Sequence, residues 1–248
     1  MESKEDRLEL STPLASTIPL LRETKKLAPF KDATRVQNSL TAPVERKALA
    51  WLAAHLPSWV NSDHLTLLGF IAMFLAGGSY ALARTHRAGL ILATLFLALN
   101  WFGDSLDGTL ARMRNRQRPR YGFYVDHMID TLGGLCLMGG LALSGFVDWR
   151  IALGMFITFL MLSIEVYLAA YTLGTFRLSF GKFGPTEIRI LLALGNIALW
   201  ADPTARVVGS PYRLLDVGGI IAIAGMACML IVSTIFNTLR LYRGEPLR

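Results

Sequence analysis

Four aspartates, Asp104, Asp107, Asp126 and Asp130, fall within one 27-residue stretch of the chain, 104–130. Apolar runs flank it on both sides, so the acids stand where the chain leaves and re-enters a nonpolar medium. Two unit charges 4 Å apart repel by about 4 kcal/mol at an effective dielectric of 20. Four clustered carboxylates therefore require either that several carry protons or that cations are bound among them. The donors at hand are oxygens, with one nearby histidine, His127, and no cysteine. Such a set selects hard cations such as Mg2+ or Mn2+. Four carboxylates can hold two divalent ions ~3.5–4 Å apart, the arrangement that serves phosphoryl displacement.

The spacing adds a second constraint. If the flanking segments are helices, residues 104, 107, 108 and 111 share one face by the i, i+3, i+4, i+7 rule. That face reads Asp, Asp, Gly, Ala, a groove with acids in its wall. Residues 122, 126 and 130 form a similar stripe of Gly, Asp and Asp. The first helix ends where the second begins, so their ends are expected to pack together and bring all four carboxylates to one point. Ordinary loop-flanking surface charges are the alternative. They need not put Gly and Ala on the same face as the acids, and acids inside a membrane are functional by default.

The elements that must position these residues follow from composition. Of 248 residues, 53% are apolar and 17% charged, with mean hydropathy +0.43. Soluble domains carry roughly 25% charge. The apolar residues come in blocks, which indicates a polytopic membrane protein. The formal charge is +7; because the basic residues cluster beside the apolar blocks, this favours anionic lipid over nucleic acid as the partner. Cys136 and Cys228 lie inside apolar runs and are expected to be buried thiols with no disulfide or metal role. The stretch "MESKEDRLELSTPL" is acidic and polar, which does not read as a signal peptide.

The expected fold is all-α: six transmembrane helices preceded by an interfacial amphipathic helix. Residues 1–42, with Lys25, Lys26, Lys31 and Arg35, read as a mobile cytoplasmic tail. Residues 43–57 read as the interfacial helix, with Val44, Ala48, Trp51, Leu52 and His55 at helical spacing and Glu45, Arg46 and Lys47 elsewhere on the wheel. A domain at 65–243, expected to be the catalytic one, holds the spans, near 65–83, 88–103, 125–147, 151–172, 188–201 and 214–239. Basic residues bias the topology. Arg112, Arg114, Arg116, Arg118 and Arg120 share one side with Arg177, Lys182, Arg189, Arg240, Arg243 and Arg248, against Arg84, Arg87, Arg150, Arg206 and Arg213 on the other. By the positive-inside rule both termini and the aspartate stretch are expected to be cytoplasmic; the expected location is a bacterial inner membrane. No internal repeat is visible.

The eight positions Asp104, Asp107, Gly108, Ala111, Arg112, Gly122, Asp126 and Asp130 follow the pattern D-x2-D-G-x2-A-R-x9-G-x3-D-x3-D. This pattern resembles the signature of the CDP-alcohol phosphotransferase family of membrane phospholipid-synthesis enzymes, and no position departs from it. The resemblance implies a CDP-linked donor and an alcohol acceptor that meet in a polar cavity, with release of CMP. It implies Asp104, Asp107 and Asp126 as metal ligands, and Asp130 as the base that takes the hydroxyl proton while able to touch a metal. Asp107, Gly108, Ala111, Arg112 and Gly122 would form the nucleotide site. The family also implies two Mg2+ or Mn2+ ions and a homodimer.

Other residues are candidates for the acceptor side. Arg177, Lys182 and Arg189 can form a pocket for an anionic alcohol, against the simpler reading of positive-inside topology. Gly184 and Pro185 read as a turn, and Glu187 as a cap or the start of the fifth span. Glu165 lies inside the fourth span, where a carboxyl needs a partner or hydration; His127 is one candidate partner. Asn237 reads as packing glue between helices, and His64 as interfacial. The dipeptide Asp126-His127 and the later "GPTE" are similar to choline/ethanolamine phosphotransferases, whose acceptor is diacylglycerol. The leading expectation is transfer of a phosphatidyl group from CDP-diacylglycerol; the alternative is an aminoalcohol phosphotransferase. A cation transporter is a rival from another class, but transporters place broken helices near mid-membrane in related halves.

Overall fold

The computed structural model describes residues 34–36, 39–177, 182, 184–207 and 209–245. Most of the stretch expected to be a tail, and Arg248, lie outside them. The described chain runs β1 (Thr34–Val36), α1 (Ala42–His55), α2 (Ser62–Ala83), α3 (Ala88–Met113), α4 (Pro119–Ser144), α5 (Trp149–Leu173), β2 (Thr175–Arg177), α6 (Pro185–Ala201), β3 (Thr204–Val207), β4 (Ser210–Arg213) and α7 (Leu214–Gly244).

Local sequence sets the helix ends. Asn61 caps α2, accepting from the His64 N–H at 2.9 Å while the Asn61 N–H donates back to His64 Nδ1 at 3.4 Å. Asp148 caps α5 by accepting from the Arg150 N–H at 2.8 Å. Pro119 and Pro185 open α4 and α6, where a missing N–H costs nothing.

Five helices, α2, α3, α4, α5 and α7, are long and apolar enough to cross a membrane, and the chain is an integral membrane protein. Their outer faces are apolar: only Ala152 and Val166 of α5, and Gly219 and Ser233 of α7, are buried. That outward surface suits lipid rather than water. Cys228 lies on it and is exposed, so its expected burial does not hold; Cys136 is half-buried, and both thiols are free. The fifth expected span, 188–201, forms α6, whose 17 residues reach only about 25 Å against a hydrocarbon core of about 30 Å. Length and composition therefore do not establish a sixth crossing. α6 nonetheless runs antiparallel along α3. Arg189, near its start, bonds Asp104; Asn196 donates to Thr94 Oγ1 at 3.0 Å; the Trp200 carbonyl accepts from Arg87 at 3.2 Å.

The helices pack in a closed order, α3 on α2, α2 on α4, α4 on α5, α5 on α7, α7 on α6 and α6 back on α3. α3 and α4 were expected to pack on each other; both instead pack on α2. Glycines explain this. A Cβ on Gly103 of α3 would stand 2.6 Å from the Gly69 N and Leu65 O of α2, and one on Gly140 of α4 would stand 2.0 Å from the Gly77 O of α2. Only bare backbone admits so close an approach. The result is a groove between α3 and α4 floored by α2.

Two small sheets were not foreseen. β1 pairs parallel with β2, Thr34 opposite Thr175 and Val36 opposite Arg177. β3 and β4 form an antiparallel hairpin between α6 and α7. Asp202 begins that hairpin: the Thr204 hydroxyl and N–H both donate to its carboxylate, at 2.7 and 2.9 Å, and hold it below the usual carboxylate range.

Candidate active site

Both motif stripes face one cleft. Asp107, Gly108 and Ala111 of α3 line it together with Gly122 and Asp126 of α4. Thr66 and Asp63 of α2, Arg116 and Arg118 of the connecting segment, and Tyr121 of α4 complete an open hollow. Residues 107, 108 and 111 of one expected stripe and 122 and 126 of the other thus line the cleft, while Asp104 and Asp130 are not among its lining residues. Gly122 has nothing within 4 Å of a notional Cβ, and Gly108 meets only the Arg112 guanidinium at 3.2 Å, so these positions leave space.

The four acids differ in surroundings. Asp107 is buried at 7% exposure, and its Oδ2 accepts from the Thr66 hydroxyl at 2.6 Å. Its Oδ1 accepts from the Gly108 N–H. Asp104 and Asp130 lie one helical turn deeper. Asp104 accepts from Arg189 of α6 at 2.6 Å in a largely enclosed ion pair. Asp130 is exposed, and its charged neighbours are Asp104, Arg189, Asp126 and Asp107. All four carboxylates therefore share one electrostatic neighbourhood.

Among the described residues, no three acidic, histidine or cysteine side chains meet at coordination distance. The acids form a negative field around the groove rather than a closed ligand cage. The chemistry of the donor set still fits a hard divalent cation: carboxylate and hydroxyl oxygens on two walls of an open cleft, with neither thiolate nor imidazole on its lining.

Arg112 stands at the end of α3, where it donates to Thr109 Oγ1 at 3.1 Å. The three basic residues grouped as an acceptor pocket part company. Arg189 turns inward to Asp104 and to Asn100 Oδ1, at 2.8 Å from Nε. Lys182 is exposed. Arg177 lines a second, narrow hollow between α5, β2 and α7, with Glu165, Thr175, Ser233, Asn237 and Arg240. There Glu165 Oε1 accepts from Ser233 Oγ at 2.8 Å and Asn237 Nδ2 at 2.6 Å. His127 packs among aromatic rings, its centroid 4.2 Å from Phe123, 4.7 Å from Tyr167 and 5.1 Å from Phe176.

Several site residues were not picked out in the sequence. Thr66 carried no signal, being one hydroxyl in an apolar run. Asn100 did carry one: a buried amide one turn before Asp104, it donates to the Gly69 carbonyl at 2.9 Å and accepts from Arg189. Glu45 was assigned to the outer wheel of α1 with Arg46 and Lys47. It is instead buried at 8% exposure, because α1 lays its Ala42, Glu45, Leu49 and Ala53 face inward and leaves Val44 and Trp51 exposed.

A family model described as CDP-alcohol phosphatidyltransferase matches residues 54–235, from the end of α1 into α7. The chain belongs to the CDP-alcohol phosphatidyltransferase family. An archaetidylinositol phosphate synthase of Pyrococcus horikoshii is 32% identical over 141 residues, 56% of this chain and 65% of that protein. Cholinephosphotransferase 1 of Homo sapiens is 27% identical over 210 residues, 77% of this chain and 50% of that protein. The chain thus spans half to just under two thirds of the length of these curated relatives. The matched range of the CDP-alcohol phosphatidyltransferase model contains the whole lining of the groove, and Glu165 and Ser233 of the second hollow, but ends before Asn237 and Arg240.

Proposed function

We propose that the chain is a CDP-alcohol phosphotransferase: it moves a phosphatidyl group from CDP-diacylglycerol to an alcohol acceptor and releases CMP, in phospholipid synthesis. The observation that carries this reading is the shared groove, with Asp107 and Asp126 on opposite walls beside Gly108, Ala111 and Gly122. A nucleotide needs room, and its diphosphate needs cationic neutralisation; small residues and acids on one face supply both conditions.

Asp104, Asp107, Asp126 and Asp130 would hold two Mg2+ or Mn2+ ions, which when bound neutralise the diphosphate and the charge that develops on departing CMP. The chain's own residues do the rest. Thr66 and the Gly108 N–H fix the rotamer of Asp107. Gly108, Ala111, Arg112 and Gly122 receive the cytidine end of the donor. Asp130 accepts the proton of the acceptor hydroxyl as its oxygen bonds to the phosphorus that carries the lipid. The P–O bond to the CMP phosphate breaks, and CMP leaves with the electron pair. The groove opens at the cytoplasmic edge, where Arg114, Arg116, Arg118 and Arg120 cluster, and the protein works as a homodimer in a bacterial inner membrane.

The acceptor side is assigned to the second hollow, where Arg177 and Arg240 favour an anionic alcohol such as an alcohol phosphate. Similarity to the archaetidylinositol phosphate synthase supports this choice. A second reading, CDP-choline or CDP-ethanolamine as donor to a diacylglycerol-like lipid, is favoured by the longer cholinephosphotransferase match and by the placing of His127 among three aromatic rings. Mass spectrometry of products from purified protein decides between them. CDP-diacylglycerol with an alcohol phosphate should yield a new phosphodiester lipid. Product from CDP-choline and diacylglycerol alone would establish the second reading.

A further inference from the structure

Glu45 is a buried carboxylate at the junction of three helices, outside the aspartate motif. Its Oε1 accepts from Trp101 Nε1 of α3 at 2.7 Å, from Thr186 Oγ1 of α6 at 2.6 Å and from Ser105 Oγ of α3 at 3.4 Å. Its Oε2 is enclosed and, among the described residues, has no hydrogen-bond partner. A group left in this state is costly on the interior side of a helix, and the three donors on Oε1 offset that cost only while all of them stay in place. The residues it grips are informative. Trp101 and Ser105 lie three residues before and one after Asp104. Thr186 lies three residues before Arg189, the partner of Asp104. The Glu187 carboxylate strengthens the same joint, accepting from the Thr41 N–H and hydroxyl, both at 2.8 Å.

We infer that Glu45 is a positioning residue: it clamps α1 to α3 and α6 and so fixes the rotation of both helices that sets Asp104 and Arg189 in register at the metal-binding groove. The inference rests on the functional reading above, in which Asp104 is a metal ligand. A helix held by one acceptor on two flanking residues cannot rotate about its axis without breaking both bonds, and a few degrees of rotation moves a carboxylate by tenths of an ångström. Hydrogen-bond partners that orient ligands commonly control metal affinity by about 10–100-fold.

The test is a Mn2+ titration of the detergent-purified full chain, followed through the paramagnetic resonance signal of the free ion, with thermal unfolding recorded on the same samples. Glu45→Gln keeps the acceptor oxygen and is expected to bind Mn2+ within about twofold of wild type, as a retained hydrogen bond implies. Glu45→Ala is expected to weaken binding by about tenfold. Trp101→Phe and Thr186→Val each delete one donor and are expected to weaken it by about threefold; they carry the test if Glu45→Ala does not fold. Wild-type Mn2+ affinity in all the deletion variants, with only a lower unfolding temperature, overturns the inference and leaves Glu45 a packing residue. Binding by Glu45→Gln as weak as that by Glu45→Ala also overturns it, since charge and not the retained acceptor would then matter. A wild-type chain that binds no Mn2+ overturns the functional reading and this inference with it.

Discussion

Arg189 of α6 donates to Asp104 of α3 across 2.6 Å while its Nε holds Asn100 of the same helix, one turn away. One guanidinium thus ties together two residues of α3, the helix that carries Asp107 into the groove. By its position in the sequence Arg189 groups with Arg177 and Lys182 as a candidate for the acceptor pocket. The ion pair predicts a different result. Arg189→Ala should lower kcat by about 10–100-fold, as loss of an orienting partner does. Arg189→Lys should restore little, because one ammonium lacks the forked geometry that bonds both residues. Steady-state kinetics with the acceptor and the metal varied separately checks this; a change confined to acceptor KM would return Arg189 to the acceptor.

The close approach of α3 to α2 predicts a steep cost for one methyl group. Gly103→Ala drives a Cβ to 2.6 Å from fixed backbone. It should destabilise the protein by about 1–3 kcal/mol, the range for overpacking, and pull the groove wall out of place. Gly78→Ala on α2, whose Cβ meets nothing within 4 Å, is the matched control. Thermal unfolding in detergent should separate the two variants.

The second hollow predicts a division of labour. Arg177→Ala and Arg240→Ala should each raise the KM for an anionic acceptor by about tenfold, roughly 1.4 kcal/mol of a charge-assisted bond. The KM for the CDP-linked donor should stay unchanged. An equal loss on both substrates would mean that the hollow does not discriminate between them.

Asp130 is expected to be the base. Asp130→Asn should reduce turnover by about 10^2–10^4-fold, the usual contribution of a positioned proton acceptor, and retain nucleotide binding. Wild-type turnover in this variant removes the role.

Much of this arrangement was legible because its signals are periodic. Long apolar runs marked the five membrane helices, and the 3.6-residue turn placed Asp104, Asp107, Gly108 and Ala111 on one face. What escaped depends on which face turns inward and on distant neighbours. Glu45 stands beside Arg46 and Lys47 in sequence and reads as surface; it is buried because α1 packs that face on Leu106 and Leu110. The α3–α4 contact expected from chain order is replaced by shared packing on α2, which depends on glycines at 69, 77, 103 and 140 meeting across helices. The link from Glu165 to Asn237, 72 residues apart, has no local signature, although each was noticed as a polar group in an apolar run. β1 and β2 are three residues each, too short for alternation to show.

The central claim is that Asp104, Asp107, Asp126 and Asp130 grip a diphosphate through divalent ions. Calorimetric titration of CDP into the purified chain, with Mg2+ or with chelator, tests it most directly, using Asp107→Ala alongside wild type. Binding by wild type that needs the cation, and its loss in Asp107→Ala, is the predicted result. Equal CDP affinity in chelator, or an Asp107→Ala chain that binds as wild type does, would contradict it.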